Sequence, residues 1–325
     1  MNTVTRRGLM LGATTLAAAG PAGAQAPYPT RPITLVVPAA AGGGGDFTAR
    51  LLGEALMRPL GQPVVIENRV GGSGNVAATY VARAQPDGQT LLLAYSGSHV
   101  ANPALFRNLQ WDPVRSFDPV ALVITAPHVI VVRKTLPATN LTELIAYAKA
   151  NPGKLNYATS GTGTIQHIGT EQFARLAGIS MTHVPYRGAG PAMNDLLAGT
   201  IDLIITTPPA IVSFVQADSV RALAITSRTR HPMLPDVPTT AEAGMPGFEL
   251  EAWFGIYAPA GTPPPVIARL TEEIGRIVNS AEFTRRAEES GTYATYQNPV
   301  ELAAFTRSEL ARWSAIIHDL GITLD

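Results

Sequence analysis

The chain has 325 residues, 46% of them apolar, with 24 basic and 24 acidic side chains and no cysteine. That length accommodates two domains of ordinary size. The balanced charge excludes the basic excess of a nucleic-acid binder, and the missing cysteine excludes disulfides, thiolate metal sites and a lipid-anchored N-terminal Cys.

Residues 1–26 read as an export signal. Arg6 and Arg7 supply the positive region, Gly8 to Gly20 the short apolar region, and Ala24-Gln25-Ala26 an A-x-A cleavage site, with Ala22-Gly23-Ala24 as the rival. The apolar run is shorter than the roughly 20 residues that span a bilayer. Charges, Pro or Gly interrupt every later apolar stretch, so the mature protein is expected to be soluble. Thr5-Arg6-Arg7-Gly8-Leu9-Met10 also fits a twin-arginine signal; the alternative is a general secretory signal in which two arginines are adjacent.

After an extended lead-in, Ile33 to Val37 predicts a strand. Pro38 and the run Ala39 to Gly45 follow, then a helix with Asp46 as its expected N-cap and Leu51, Leu52, Ala55 and Leu56 on one face. Val64 to Ile66 and Leu91 to Leu93 are strands flanking a helix over Ala77 to Ala84. This βαβ alternation implies a mainly parallel sheet covered by helices. Val120 to Ile124 and Val129 to Val132 are β-rich runs. Asn140 to Glu143 resembles a capping box. Leu155 to Ala158 is a strand, followed by Ser160-Gly161-Thr162-Gly163-Thr164 and a helix with Ile168, Phe173 and Leu176 on its apolar face, closed by Gly178. Asp202 to Thr206, Ala222 to Thr226 and Phe248 to Tyr257 are further strands, and the last sixty residues predict two amphipathic helices.

A strand, a glycine-rich loop and a helix start therefore occur once in each half. A helix N-terminus presents unpaired N–H groups and a partial positive charge, and glycine lets a ligand approach that backbone closely. Two such ends facing each other make an anion clamp. Neither loop contains Lys or Arg, which favours a carboxylate over a polyphosphate. A third junction, His183 to Pro191, places Tyr186 and Arg187 before a helix. There Arg187 either pairs with a carboxylate or points to solvent. His167, in the first turn after the second loop, either touches the ligand or hydrogen-bonds the loop.

Enzymatic readings find little support. Gly72-Ser73-Gly74-Asn75-Val76-Ala77 satisfies G-x-G-x-x-G/A but starts several residues after its strand, and no acidic residue ends the next one. Ser96 and Ser98 lie near His99 but not in a G-x-S-x-G elbow, so they read as loop hydrogen-bond donors. The six histidines form no H-x-x-x-H pair, so no metal and no cofactor is expected. Trp253 and Phe254 read as core.

On these residues the chain resembles the extracytoplasmic receptors of tripartite tricarboxylate transporters, the Bug-type receptors. The resemblance runs from Tyr28 to near the C-terminus. It is carried by Tyr28-Pro-Thr-Arg-Pro-Ile33, Gly42-Gly43 through Asp46 to Arg50, Glu67-Asn68-Arg69 through Asn75, Pro86-Asp87-Gly88, Leu155 through His167, His183 to Pro191, Asp195 to Gly199 and Ala258 to Pro263. It implies a two-lobed, type II-like periplasmic binding fold with two hinge crossovers. Lobe one would hold residues 27–121 and 255–325, and lobe two residues 122–254. It further implies a monomeric, non-enzymatic periplasmic receptor that captures a small organic carboxylate and delivers it to a membrane permease. By the same resemblance Ala41, Gly42, Gly43, Gly44 and Asp46 hold the ligand with Tyr186, Arg187 and Gly188. Ser98, Ser160, Gly161, Thr164, His167 and Thr206 are placed in the cleft. Three departures from the family pattern, Ala39 for an aromatic residue, Gly45 for Ser or Thr and Thr206 for Asp, imply a roomier pocket with no acidic partner for a ligand amine. The expected ligand is a carboxylate without an amino group, bulky or aromatic.

Overall fold

The computed structural model describes residues 28–324. The expected export signal, its expected cleavage site and Pro27 lie outside the described residues. The first lobe opens with β1 (Ile33–Val37), α1 (Gly44–Leu60), β2 (Val64–Asn68), α2 (Asn75–Ala82), β3 (Thr90–Tyr95), α3 (Asn102–Leu105) and β4 (Phe117–Pro127). The second lobe contains β5 (Val129–Arg133), α4 (Leu141–Ala150), β6 (Asn156–Thr159), α5 (Ile165–Ala177), β7 (Thr182–Pro185), α6 (Ala189–Ala198), β8 (Leu203–Thr206), α7 (Val212–Gln216) and β9 (Val220–Ile225). The chain then returns through β10 (Glu251–Pro259) to α8 (Pro264–Val278), α9 (Ala281–Glu289), β11 (Tyr293–Gln297) and α10 (Pro299–Leu320).

The two-lobed α/β architecture expected from the sequence is present. One sheet has the order β11-β4-β10-β3-β1-β2 and the other β7-β6-β8-β5-β9. Both sheets are mixed where mainly parallel ones were expected. The βαβ units keep β1, β2 and β3 parallel, and β6, β7 and β8 likewise. The strands that carry the chain between lobes break the pattern: β5 runs against β8 and β9, and β10 against β3 and β4.

The expected crossing points near residues 121 and 255 fall inside β4 and β10, which pair with each other as far as Glu251 opposite Pro127. The chain passes between sheets at His128 and Leu250. Their backbones are joined by a 3.2 Å hydrogen bond from the His128 N–H to the Leu250 carbonyl, and the Thr226 hydroxyl accepts from the same N–H at 2.8 Å. Two crossing strands tied at one point form a hinge with few free dihedrals.

Apolar β-branched strands covered on both faces explain the core. One buried cluster lies under α1 and α8 in lobe one, and a second under α6 in lobe two. A third joins the lobes behind the hinge, where Phe173 and Phe248 meet residues of α10 such as Leu302 and Trp313. Gly169 is required here, since a side-chain carbon at this position would lie 2.3 Å from Leu250. The C-terminal region contains α9 and β11 in addition to the two expected helices. Leu176, expected on the buried face of α5, is 58% exposed.

Candidate functional site

A cavity of about 580 Å³ lies between the lobes. Its walls are the junctions β1–α1, β6–α5 and β7–α6, the turn at residues 70–74, and the ends of β3, β8 and β10. These are the carboxyl ends of the parallel strands, where open α/β sheets place their ligands. Because β10 runs the other way, it contributes its N-terminal half, Ala252 and Phe254.

The first junction exposes backbone. The N-cap of α1 is Gly43, with extended dihedrals and no side-chain cap, so Gly44 and Gly45 present unpaired N–H groups. Asp46, expected as the N-cap, sits inside the first turn and faces away from the cavity. Its carboxylate accepts from the Gly42 N–H at 3.1 Å, from Arg50 at 2.9 and 3.0 Å and from Asn68 at 3.1 Å. Asn68 also donates to the Ala39 carbonyl at 3.0 Å. Burial alone would raise the Asp46 pKa, but the Arg50, Gly42 and Asn68 hydrogen bonds outweigh it and hold the carboxyl below its ordinary value. Asp46 thus fastens the loop from behind.

The second junction satisfies itself. Thr164 caps α5 by accepting from the His167 N–H, and its hydroxyl donates to the Gly161 carbonyl at 2.7 Å. His167 accepts from the Gly163 N–H through Nδ1 at 3.2 Å and stacks on His183 with ring centroids 4.1 Å apart. Burial lowers the pKa of both rings, that of His183 to about 4, so the stacked pair is neutral. Of the two sequence readings of His167, the loop bond holds. The Ser160 hydroxyl donates to Gln166 at 3.1 Å.

The third junction again exposes backbone. Gly188, with φ of 107°, is the N-cap of α6 and no side chain caps this helix. Its left-handed backbone favours glycine, while a side-chain carbon at this position would meet Ala40 only at an ordinary contact distance of 3.7 Å. Tyr186 donates to Asp195 at 2.6 Å, and burial together with that carboxylate pushes its pKa to about 12. Arg187 is exposed and, among the described residues, has no salt bridge and is the one charged residue lining the cavity.

The structure therefore brings Ala41, Gly42, Gly43, Gly44, Ser160, Gly161, Thr164, Tyr186, Arg187, Gly188 and Thr206 to one cavity. Asp46, Ser98 and His167 do not line it. Ser98 is buried in the turn after β3, its Oγ 3.4 Å from the Tyr95 carbonyl. Sequence reasoning missed Tyr95, Phe106, Phe254 and Leu324. Phe254 pairs with Tyr95 across β10 and β3 with rings stacked 6.3 Å apart, while Trp253 on the opposite face donates to Glu309. Alternation along β10 separates these two aromatics, but only strand register decides which faces the cavity. Across the cavity mouth, Ser73 donates to the Thr162 carbonyl at 2.7 Å, joining the two lobes.

Among the described residues no cluster of His, Asp and Glu could hold a metal ion, and no helix is long and apolar enough to cross a membrane. Residues 48–322 match a family model described as the tripartite tricarboxylate transporter family receptor. The protein BugT of Bordetella pertussis is 35% identical over 91% of this chain and 91% of its own. Among solved structures, Rpa4515 of R. palustris with adipate is 37% identical with a TM-score of 0.88, covering 91% of this chain and 100% of that one. MatC of Rhodopseudomonas palustris with bound malate is also 37% identical, with a TM-score of 0.84, covering 89% of this chain and 100% of that one.

Proposed function

The chain belongs to the tripartite tricarboxylate transporter receptor family, and from that premise we propose that it is a receptor that captures a small organic carboxylate between its lobes and delivers it to the membrane subunits of such a transporter. Members of this family and its solved structures are binding proteins, and this chain is a solute-binding receptor, not an enzyme. One observation carries the carboxylate reading. Two helix N-termini from opposite lobes, those of α1 and α6, face one cavity without side-chain caps, beside, among the described residues, a single arginine outside any salt bridge and no acidic side chain. Such ends favour a negative group through their N–H donors and partial charge. Adipate in one relative and malate in another support the same class.

In this reading the carboxylate sits on the backbone of Ala41 to Gly44 and of Gly188, with Arg187 beside it. Ser160, Gly161, Thr164 and Thr206 form the facing wall. Ligand contacts available only when the lobes meet shift the hinge at His128 and Leu250 towards closure. One chain holds both halves of the clamp, so a monomer suffices. Export to the periplasm by residues 1–26 fits the family's role. Thermal melts of refolded protein test the reading: carboxylates should raise the melting temperature in a concentration-dependent way. The matched uncharged amides, adipamide against adipate, should not. Equal stabilisation by acid and amide would overturn it.

A further inference from the structure

The anion seat occupies only one part of the cavity, and the remainder has a chemistry of its own. At about 580 Å³ the space lies within the range of roughly 300–1,000 Å³ that holds a drug-sized ligand. Away from the seat the cavity is lined by Val37, Leu93, Tyr95, Phe106, Phe254 and Leu324. Phe254 packs on the first turn of α1, its ring 3.4 Å from the positions that side-chain carbons on Gly44 and Gly45 would occupy, so the apolar wall begins beside the seat.

Four of the hydroxyls around this wall are committed within the protein. The hydroxyls of Ser73, Ser160, Thr164 and Tyr186 donate to Thr162, Gln166, Gly161 and Asp195 respectively. Among the described residues the hydroxyls of Thr162, Thr206 and Thr207 remain open; that of Thr207 lies 3.5 Å from the side-chain position of Gly44 and so belongs to the carboxylate seat, and the other two lie outside the apolar wall. Among the described residues no Asp or Glu lines the cavity, so a ligand ammonium would be buried there without a counter-charge. A ligand hydroxyl placed against the apolar wall would lose its water partners without replacement.

We infer that the ligand is a carboxylate with an apolar body, an aliphatic or aromatic acid bearing neither an amino group nor a row of hydroxyls. This rests on the carboxylate reading and narrows it. Calorimetric titration of protein freed of bound ligand by unfolding and refolding tests it with matched pairs. The probes are adipate against 2-aminoadipate, adipate against its tetrahydroxy analogue galactarate, and benzoate as an aromatic acid. Adipate or benzoate should bind at least about tenfold more tightly than either polar counterpart. A polar counterpart that binds as well as adipate and benzoate, or better, overturns the inference and leaves the carboxylate reading standing. Failure of every carboxylate to bind overturns both.

Discussion

The two glycine-rich junctions look alike in sequence and differ in what their backbones have free. At β1–α1 the helix has a glycine cap, and the one buried carboxylate nearby, Asp46, grips the loop from behind through Gly42, Arg50 and Asn68. Its first-turn N–H groups stay open to the cavity. At β6–α5 Thr164 caps the helix, His167 takes the Gly163 N–H, and the Tyr95 phenol of the other lobe reaches the Ile165 backbone. In the proposed reading the first junction is a seat and the second a stiff wall tied to the opposite lobe. The same strand–glycine–helix pattern yields either outcome, and a single side-chain oxygen at the N-cap separates them.

The strongest way to break this comparison is Gly44→Asp, which places a carboxylate in the seat. Like-charge juxtaposition should lower carboxylate affinity by about 100-fold in a calorimetric titration, with a smaller effect on the melting temperature. Asp46→Asn should cost about tenfold in affinity by loosening the loop without touching ligand. It should also change the acid limb. Because the folded-state pKa of Asp46 lies below its unfolded value, its contribution is complete above the unfolded pKa and is lost as pH falls through the folded one, below about pH 4. Melting curves from pH 6 to 3 should fall less steeply in the variant. An identical slope would remove Asp46 from this role. Thr164→Ala should cost about 1 kcal/mol of stability, seen in denaturant melts, with affinity changed less than about threefold. A large affinity loss there would make the second junction a seat as well. The smallest effect is expected for Ser73→Ala, which removes the hydrogen bond to Thr162 across the mouth. Ligand dissociation should accelerate by about twofold with association unchanged.

Much of the site was legible because its chemistry is local. A helix start after a glycine run has free N–H groups wherever the fold places it, so Ala41 to Gly44 and Gly188 could be named from sequence. Asp46 and Ser98 were placed in the cleft by resemblance, and His167 by its position in the first turn after the second loop. They sit behind it instead, since a side chain adjacent to a loop can point to either side of it. Thr164 was correctly placed at the second loop, but its hydroxyl serves the helix cap.

What the sequence by itself determined is most of the elements, though not α9 and β11, together with the three strand-to-helix junctions and the absence of charge in the two glycine loops, because these follow from propensity, periodicity and glycine content over short stretches. Only the tertiary structure decided the mixed sheets, the crossing at His128 and Leu250, and the apolar wall of Phe254, Tyr95, Phe106 and Leu324. These depend on the antiparallel return of β10 between β3 and β4. That pairing joins residues more than 150 positions apart in Phe254 and Tyr95, and no short-range pattern specifies which face of such a strand meets the ligand.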